Sequence, residues 1–349
     1  MSKSTSKNMS KNINKIPVSK TGYTGTKSKA KPATFLTPER LLRLAYHYPL
    51  LHNVWYLIAT ATLLELNLVE EIPAVLHFAL RQQLYEFSND EGKIVNNEYM
   101  LLLAEDSIKS SARCRMMYAT GVKVPDILIP LVYYKHIPLN FKYTKGEDIH
   151  RKQQFIVDQV KEVVLKLVSM VGLPKVINAL TLIRASTPSR LVRAEPVRPR
   201  EIAPSSSSLG GEQTVDGAID AASVNVKQIK FDLIQGSKLW NTVFSNHLGL
   251  KIKKQMLNAY PDLWYFVNNH IYSYLLSYNK YLSDKKTSLV VVACLVPQDV
   301  NPQLRGHLRG ALNNGATKDE VSNTRMLSLE ICQWLGKSWK EGIESVPKL

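Results

Sequence analysis

The chain has 349 residues, of which 45% are hydrophobic, so it is a globular protein with room for two modest domains. Its formal net charge is +16, but residues 1–38 hold eight lysines and no acidic residue, so half of the excess lies in one segment. Because the other basic residues form no run interleaved with aromatic ones, nucleic-acid binding is not predicted.

The cysteines and the apolar stretches exclude two further classes of protein. Cys114, Cys294 and Cys332 lie far apart, and no CxxC motif occurs. An odd number of scattered cysteines argues against a disulfide framework and favours buried thiols in a reducing compartment. No stretch reaches the roughly 18 apolar residues that a membrane span requires, so none is predicted.

The first half of the chain is predicted to be helical after a disordered tail. Residues 1–36 are rich in Ser, Lys, Thr and Asn, a composition typical of disorder. The first helix is expected to begin at Thr37-Pro38, since Thr suits the N-cap and Pro the first helical position. Further helices are predicted over residues 50–69, 73–86, 99–118 and 155–184, whereas the secondary structure of residues 125–136 stays open. Together, residues 37–185 are predicted to form an N-terminal helical unit.

The second half is predicted to follow a flexible linker over residues 186–227, which is rich in Pro, Ser and Gly. A second helical unit is predicted over residues 228–349. It includes a helix at 236–248 and an aromatic helical segment at 264–281. Residues 283–296 become apolar on nearly every face, which predicts a central buried helix, with a strand as the alternative.

The most informative stretch, NPQLRGHLRGALNNGATKDEV, predicts two helices joined by a sharp turn. Asn301 is expected to be the N-cap of the first helix, and Pro302 its first helical residue. Gly315 is expected to end that helix in the left-handed conformation. Thr317 and Glu320 are spaced as a capping box at the start of the second helix.

This stretch resembles the helix-turn-helix of the carboxymuconolactone decarboxylase family, which includes the alkylhydroperoxidase D-like proteins. The resemblance rests on His307-x3-Ala-Leu-Asn-Asn-Gly-Ala-Thr-x2-Glu-Val, and residues 171–180 (VGLPKVINAL) also resemble the family. It implies an all-α fold of two packed helical units and is nearest to the fungal peroxisomal-type members. Because members of the family usually assemble through such helices, the resemblance also implies a homo-oligomer.

The resemblance makes His307 the candidate catalytic residue. In the family this helix presents the histidine to a pocket, where an imidazole can transfer protons near neutral pH. The expected function is that of a carboxymuconolactone decarboxylase-like protein acting on a small organic acid, of unidentified structure, with His307 as proton donor. Arg305 and Arg309 stand two residues from His307, so they are expected to face solvent. No phosphate loop or metal-ligand cluster is visible, and no cofactor is predicted.

Two alternatives to this function stay open. The peroxidase branch of the family uses a CxxC ending four residues before the histidine and a glutamate about a dozen residues before the first cysteine. This chain has Val300, Gln303 and Ser288 at those positions, so a peroxiredoxin-like hydroperoxide reductase is disfavoured and would require Cys294 to meet Cys332. The other alternative is a catalytically silent structural or binding member of the family.

The ends of the chain carry two competing targeting patterns. Pro347-Lys348-Leu349 approximates the Ser-Lys-Leu peroxisomal address, with proline in place of the usual small residue. It predicts the peroxisome matrix, the peroxisomal import receptor as a partner, and a mobile tail that presents the address. The lysine-rich N-terminal segment makes the mitochondrion the alternative, although it lacks arginine and an apolar face.

Overall fold

A computed structural model describes residues 35–85, 97–126, 149–193, 200 and 224–349. The α-helices of the first part are α1 (Pro38–Tyr46), α2 (Trp55–Glu65), α3 (Ile72–Tyr85), α4 (Asn97–Ala119), α5 (Ile149–Lys166), α6 (Val168–Val171) and α7 (Leu173–Ser186). Those of the second part are α8 (Val226–Ala259), α9 (Pro261–Phe266), α10 (Asp284–Leu295), α11 (Asn301–Asn313) and α12 (Lys318–Trp334). Within these ranges no strand occurs, and the prediction of an all-α fold is confirmed.

Shorter helical turns connect these elements. Turns of 3-10 type occur at Pro49–Leu51, Val69–Glu71, Ser189–Leu191, Val296–Gln298 and Ile343–Ser345. Between α9 and α10, Val267–Leu276 forms a π-helix, so the aromatic segment predicted over residues 264–281 is divided between two helix types. The helix predicted over 236–248 is part of the longer α8, which is interrupted where Ser245 has a φ of 56°.

Helices α2 and α10 form the centre of the core because both are apolar on every side. Residues 55–64 of α2 and 287–295 of α10 are all buried. Helix α2 packs against α10 and also against α3, α5 and α12, so helices from both halves of the chain share one core. The central buried helix predicted for residues 283–296 is confirmed, and the strand alternative is wrong.

Two polar contacts join α12 to the start of the described chain. The Glu330 carboxylate accepts hydrogen bonds from the Tyr48 hydroxyl (2.9 Å) and from the Arg43 guanidinium of α1. Two residues earlier in α12, Ser328 accepts a hydrogen bond at 3.0 Å from the Thr62 hydroxyl of α2. Helix α12 therefore links α1 and α2, although more than 200 residues separate them from it in sequence.

The predicted N-terminal tail extends two residues too far. Residues 1–34 lie outside the described part of the chain, but Leu36 is fully buried. The backbone N–H groups of Phe35 and Leu36 each donate to the Glu71 carboxylate at 3.1 Å. Packing and these two hydrogen bonds order the chain from Phe35 onward.

Both ends of the predicted linker also belong to ordered elements. Ser186 is the last residue of α7, Leu191 is buried in the turn that follows, and α8 begins at Val226. Residues 194–199 and 201–223 of the predicted linker, like residues 127–136 of the open segment, lie outside the described part of the chain.

The expectation of a mobile C-terminal tail is wrong for residues 346 and 347. Val346 and Pro347 are buried, and their carbonyl oxygens accept hydrogen bonds from the Arg325 guanidinium at 2.9 and 2.7 Å. Lys348 pairs with Glu344 at 3.1 Å. The short tail is therefore held against α12.

Candidate functional site

Helix α11, which carries His307, begins one residue earlier than its expected N-cap implies. Val300 is the N-cap residue, and Asn301 is already helical, so the N-cap prediction for Asn301 is wrong. The chain reverses at the left-handed Asp299 (φ 60°), which leaves Val300 as the single residue between that turn and the helix. Pro302 is therefore the second helical residue and not the first, as was expected, although it still lies in the first turn.

The turn after α11 has the predicted geometry. Gly315 has a φ of +87°, a conformation that side chains with a Cβ rarely adopt. The Thr317 hydroxyl accepts from the Glu320 backbone N–H at 3.1 Å, and the Glu320 carboxylate accepts from the Thr317 N–H at 2.8 Å. Asn314 donates to the Ser288 hydroxyl at 2.9 Å, which ties the turn to α10. Both helix ends at this turn are thus satisfied by local contacts.

Two glycines bring α11 very close to α8. A Cβ on Gly310 would lie 2.7 Å from Cγ1 of Val243, and one on Gly306 would lie 3.3 Å from Cε1 of Phe244. The four-residue spacing of these glycines places both on one helix face, a pattern of small residues at close helix contacts. The Gly-x3-Gly spacing is visible in the sequence and is the signal from which this close approach could have been predicted.

This close approach places His307 in a cluster of aromatic rings. Its ring centroid lies 5.4 Å from that of Phe244, edge to face, and Phe244 packs on Trp240 (4.5 Å) and Tyr272 (6.2 Å). The residue is half-buried, and desolvation by this packing lowers the pKa of His307 to about 4. Among the described residues it has no hydrogen-bond or ion-pair partner, so nothing there fixes a tautomer or favours the protonated form.

The arginines and the residues at the peroxidase positions do not add chemistry to His307. Arg305 and Arg309 are exposed, as predicted from their spacing. Ser288 accepts the hydrogen bond from Asn314 and so serves the turn. The structure therefore brings no second predicted site residue to the imidazole.

The cysteines lack the properties of a reactive thiol. All three are buried and free. Burial raises the pKa of Cys294 well above its ordinary value and that of Cys332 to about 12. Since the thiolate is the nucleophile, these thiols are poor candidates for attack on a peroxide.

A buried ionic cluster at the end of the π-helix was not anticipated from the sequence. The Lys166 ammonium is fully buried and donates to the carbonyl oxygens of Leu275, at 3.2 Å, and Leu276. Its carboxylate neighbour is Glu162, at 3.9 Å, which also binds Arg200. Burial lowers the pKa of Lys166 to about 7. The ammonium satisfies carbonyl groups at a helix end, which is a structural role.

Two further properties follow from the described residues. Nowhere in the ranges that the structure covers do three or more His, Cys, Asp or Glu side chains come together as a metal site. In the same ranges, no helix combines the length and the apolar character needed to cross a membrane.

Comparison with known proteins gives a consistent result. Residues 267–336, which include His307 and the capping box, match the carboxymuconolactone decarboxylase family. Peroxisomal protein 2 of Saccharomyces cerevisiae is 34% identical over 309 residues, covering 88% of this chain and 98% of that protein. Peroxisomal protein 2 of Schizosaccharomyces pombe is 33% identical over 191 residues, covering 55% and 76% respectively. No solved structure matches. Both relatives are named for the peroxisome, and the predicted peroxisomal localisation is confirmed on that basis.

Proposed function

This chain belongs to the carboxymuconolactone decarboxylase family, as a member of its fungal peroxisomal type. From that premise we propose that it is a catalytically silent member of the family and that it binds a small organic acid. The observation that carries the proposal is the environment of His307. The imidazole packs among aromatic rings and has no polar partner among the described residues. This environment favours a role in packing over a role in acid or base catalysis.

The pKa of His307 argues against its role as a proton donor. Loss of CO2 from a lactone acid requires a group that stabilises a developing enolate and then protonates it. With a pKa of about 4, roughly one imidazole in a thousand carries the extra proton at pH 7. General acid catalysis works best when the pKa of the donor is close to the working pH.

The second candidate is a decarboxylase-like lyase with His307 as proton donor. It is favoured by the intact turn from His307 to Glu320, which lies inside the family match. A neutral imidazole can still donate one N–H hydrogen bond to an enolate oxygen, so the histidine would act as a weak electrophile.

Turnover and binding assays on the full-length protein separate the two candidates. Carboxymuconolactone and a panel of small organic acids are incubated with the wild type and with His307→Gln, and CO2 release and calorimetric binding are measured. We expect no CO2 release from either protein and similar binding by both. CO2 release that is lost in His307→Gln but kept in His270→Gln, a control at an exposed histidine, would contradict silence and support the lyase.

Two partners complete the proposal. A homo-oligomer is supported by exposed apolar side chains at α8. Ile234 and Leu250 of this helix and Tyr260, which follows it, are each more than half exposed. Light scattering on the purified protein tests for it.

The peroxisomal import receptor is expected to bind Lys348 and Leu349. Leu349 is 50% exposed, and imaging with and without it tests the address.

A further inference from the structure

We propose that a groove along α12 binds a carboxylate with an apolar body of medium length, and that Arg325 holds the carboxylate. The groove lies between α12, the end of α1 and residues 343–349, and has a volume of about 770 Å³. This inference rests on the binding role proposed above and names its site, which lies apart from the His307 cluster.

The floor of the groove is apolar and its walls are charged. Leu308 of α11 and Val321 and Leu329 of α12 are buried beneath it. Side chains from four turns of α12 line its length, together with Arg43 from α1 and Lys348 from the terminal segment. A cavity of this size with an apolar floor and a few convergent polar groups is typical of small-molecule sites.

Arg325 is a cation of the groove that forms no ion pair among the described residues. Only 7% of the residue is exposed. Its Nε and Nη2 atoms donate to the carbonyl oxygens of Pro347 and Val346, whereas the neighbour of Nη1 is the Met326 sulfur at 3.7 Å. The charge of Glu344 acts on the guanidinium from beyond ion-pairing distance. A buried charge without a direct ion-pair partner is costly, so an anion bound at Nη1 would be stabilised by it.

Two carboxylates in the walls are engaged elsewhere. Glu330 is bound by Tyr48 and Arg43, and Glu344 pairs with Lys348. The charged side chains lining the groove are four cations and three carboxylates, so no large negative charge repels an incoming anion. A planar carboxylate suits the remaining donor of a guanidinium better than a point anion does.

The position of Arg325 sets the length of the ligand. Arg325 lies about midway along the lining residues of α12, between Lys318 and Gln333. At 1.5 Å per residue, roughly 10 Å of groove extends in each direction from it. An eight-carbon chain is about as long. Octanoate is therefore a suitable probe.

Thermal unfolding and calorimetry with three probes test the site. We expect octanoate to raise the melting temperature of the wild type progressively, and with the logarithm of its concentration once the site is nearly saturated. Octanamide, which lacks the charge, and acetate, which lacks the apolar body, are expected to produce little shift at the same concentration. No stabilisation by octanoate, or equal stabilisation by octanamide, would overturn the proposal.

Two variants test whether octanoate binds in the groove. Arg325→Gln removes the charge but also the anchor of residues 346 and 347, so its folding is uncertain. Met326→Glu instead puts a carboxylate beside Arg325 from a side chain that is 45% exposed, and Met116→Glu on α4, 66% exposed, is its matched control. We expect octanoate to bind at least tenfold more weakly to Met326→Glu and unchanged to Met116→Glu.

Failure of this site is distinguishable from failure of the proposed function. Equal octanoate binding by Met326→Glu and the wild type would overturn the proposed binding site in the groove. It would not affect the proposal that the protein is catalytically silent. CO2 release that depends on His307 would overturn silence, whatever happens to octanoate in the groove.

Discussion

Desolvation shifts the pKa of His307 and of Lys166 in the same direction, because burial disfavours the protonated form of both. The two side chains differ in what they touch: His307 has aromatic neighbours, whereas Lys166 donates to backbone carbonyls beside Glu162. At the scale of the residue, the histidine of the motif is surrounded by rings, and a lysine outside any motif is surrounded by backbone oxygens. Each makes stability depend on pH in its own range.

For His307, the folded-state pKa of about 4 lies below the ordinary value of 6.5. Between these values the unfolded chain binds the proton and the folded chain does not, so the free energy of unfolding falls as the pH drops from 6.5 to 4. His307→Phe should lose less stability than the wild type over this range in urea titrations. His150→Phe, at an exposed histidine, is the control, and equal pH slopes for all three proteins would show the shift to be absent.

For Lys166, the folded-state pKa of about 7 lies below the ordinary value of 10.5. The unfolded chain therefore holds more protons between pH 7 and 10.5, and the free energy of unfolding should rise with pH in that range. Lys166→Met removes this rise but also removes the ammonium donor from the Leu276 carbonyl oxygen and leaves that of Leu275 with Arg200 at 3.4 Å, which costs about 1–3 kcal/mol. Urea titrations at pH 7, 8 and 9 measure both effects, with the exposed Lys254→Met as control. A variant that keeps the full pH slope would contradict the assignment.

At the scale of the element, what could be predicted depends on how far apart the interacting groups lie in sequence. The N-caps at Thr37 and Thr317 and the left-handed Gly315 were predicted because each depends on neighbours within four residues. The groove was not predicted, because Arg325 and Pro347 are 22 residues apart and come together only in the folded chain. The aromatic surroundings of His307 were not predicted for the same reason, since Phe244 belongs to another helix.

The contact of α11 with α8 is sensitive to one methyl group. Gly310→Ala gains about 1 kcal/mol of helix propensity, but its Cβ would lie 3.0 Å from the Val243 carbonyl oxygen and closer still to Cγ1. Overpacking of this kind costs about 1–3 kcal/mol, so we expect net destabilisation in chemical denaturation. Gly306→Ala meets only the Phe244 ring, which can move, and serves as the matched control. An equal effect of the two changes would show that the close approach at Gly310 is absent.

At the scale of the whole molecule, Glu330 is the residue that holds the first and last helices together. Its carboxylate binds both Tyr48 and Arg43, and Tyr48 is buried. Glu330→Ala should therefore leave a buried hydroxyl without its acceptor and lower the free energy of unfolding by about 1–3 kcal/mol. Glu344→Ala, whose side chain is 84% exposed, is the control. If both variants unfold at the same denaturant concentration, α1 and α12 are held by apolar packing alone.

The bond between Arg43 and Glu330 also has a consequence for biosynthesis. The two residues are 287 positions apart, and α2, the helix without a polar face, also packs against α12. At 5–20 residues per second, a ribosome needs roughly 15–60 seconds to synthesise the intervening chain. During that interval the side of α2 that packs against α10 and α12 has no native neighbour, so the yield of the protein in cells should depend on chaperones that shield this side until translation ends.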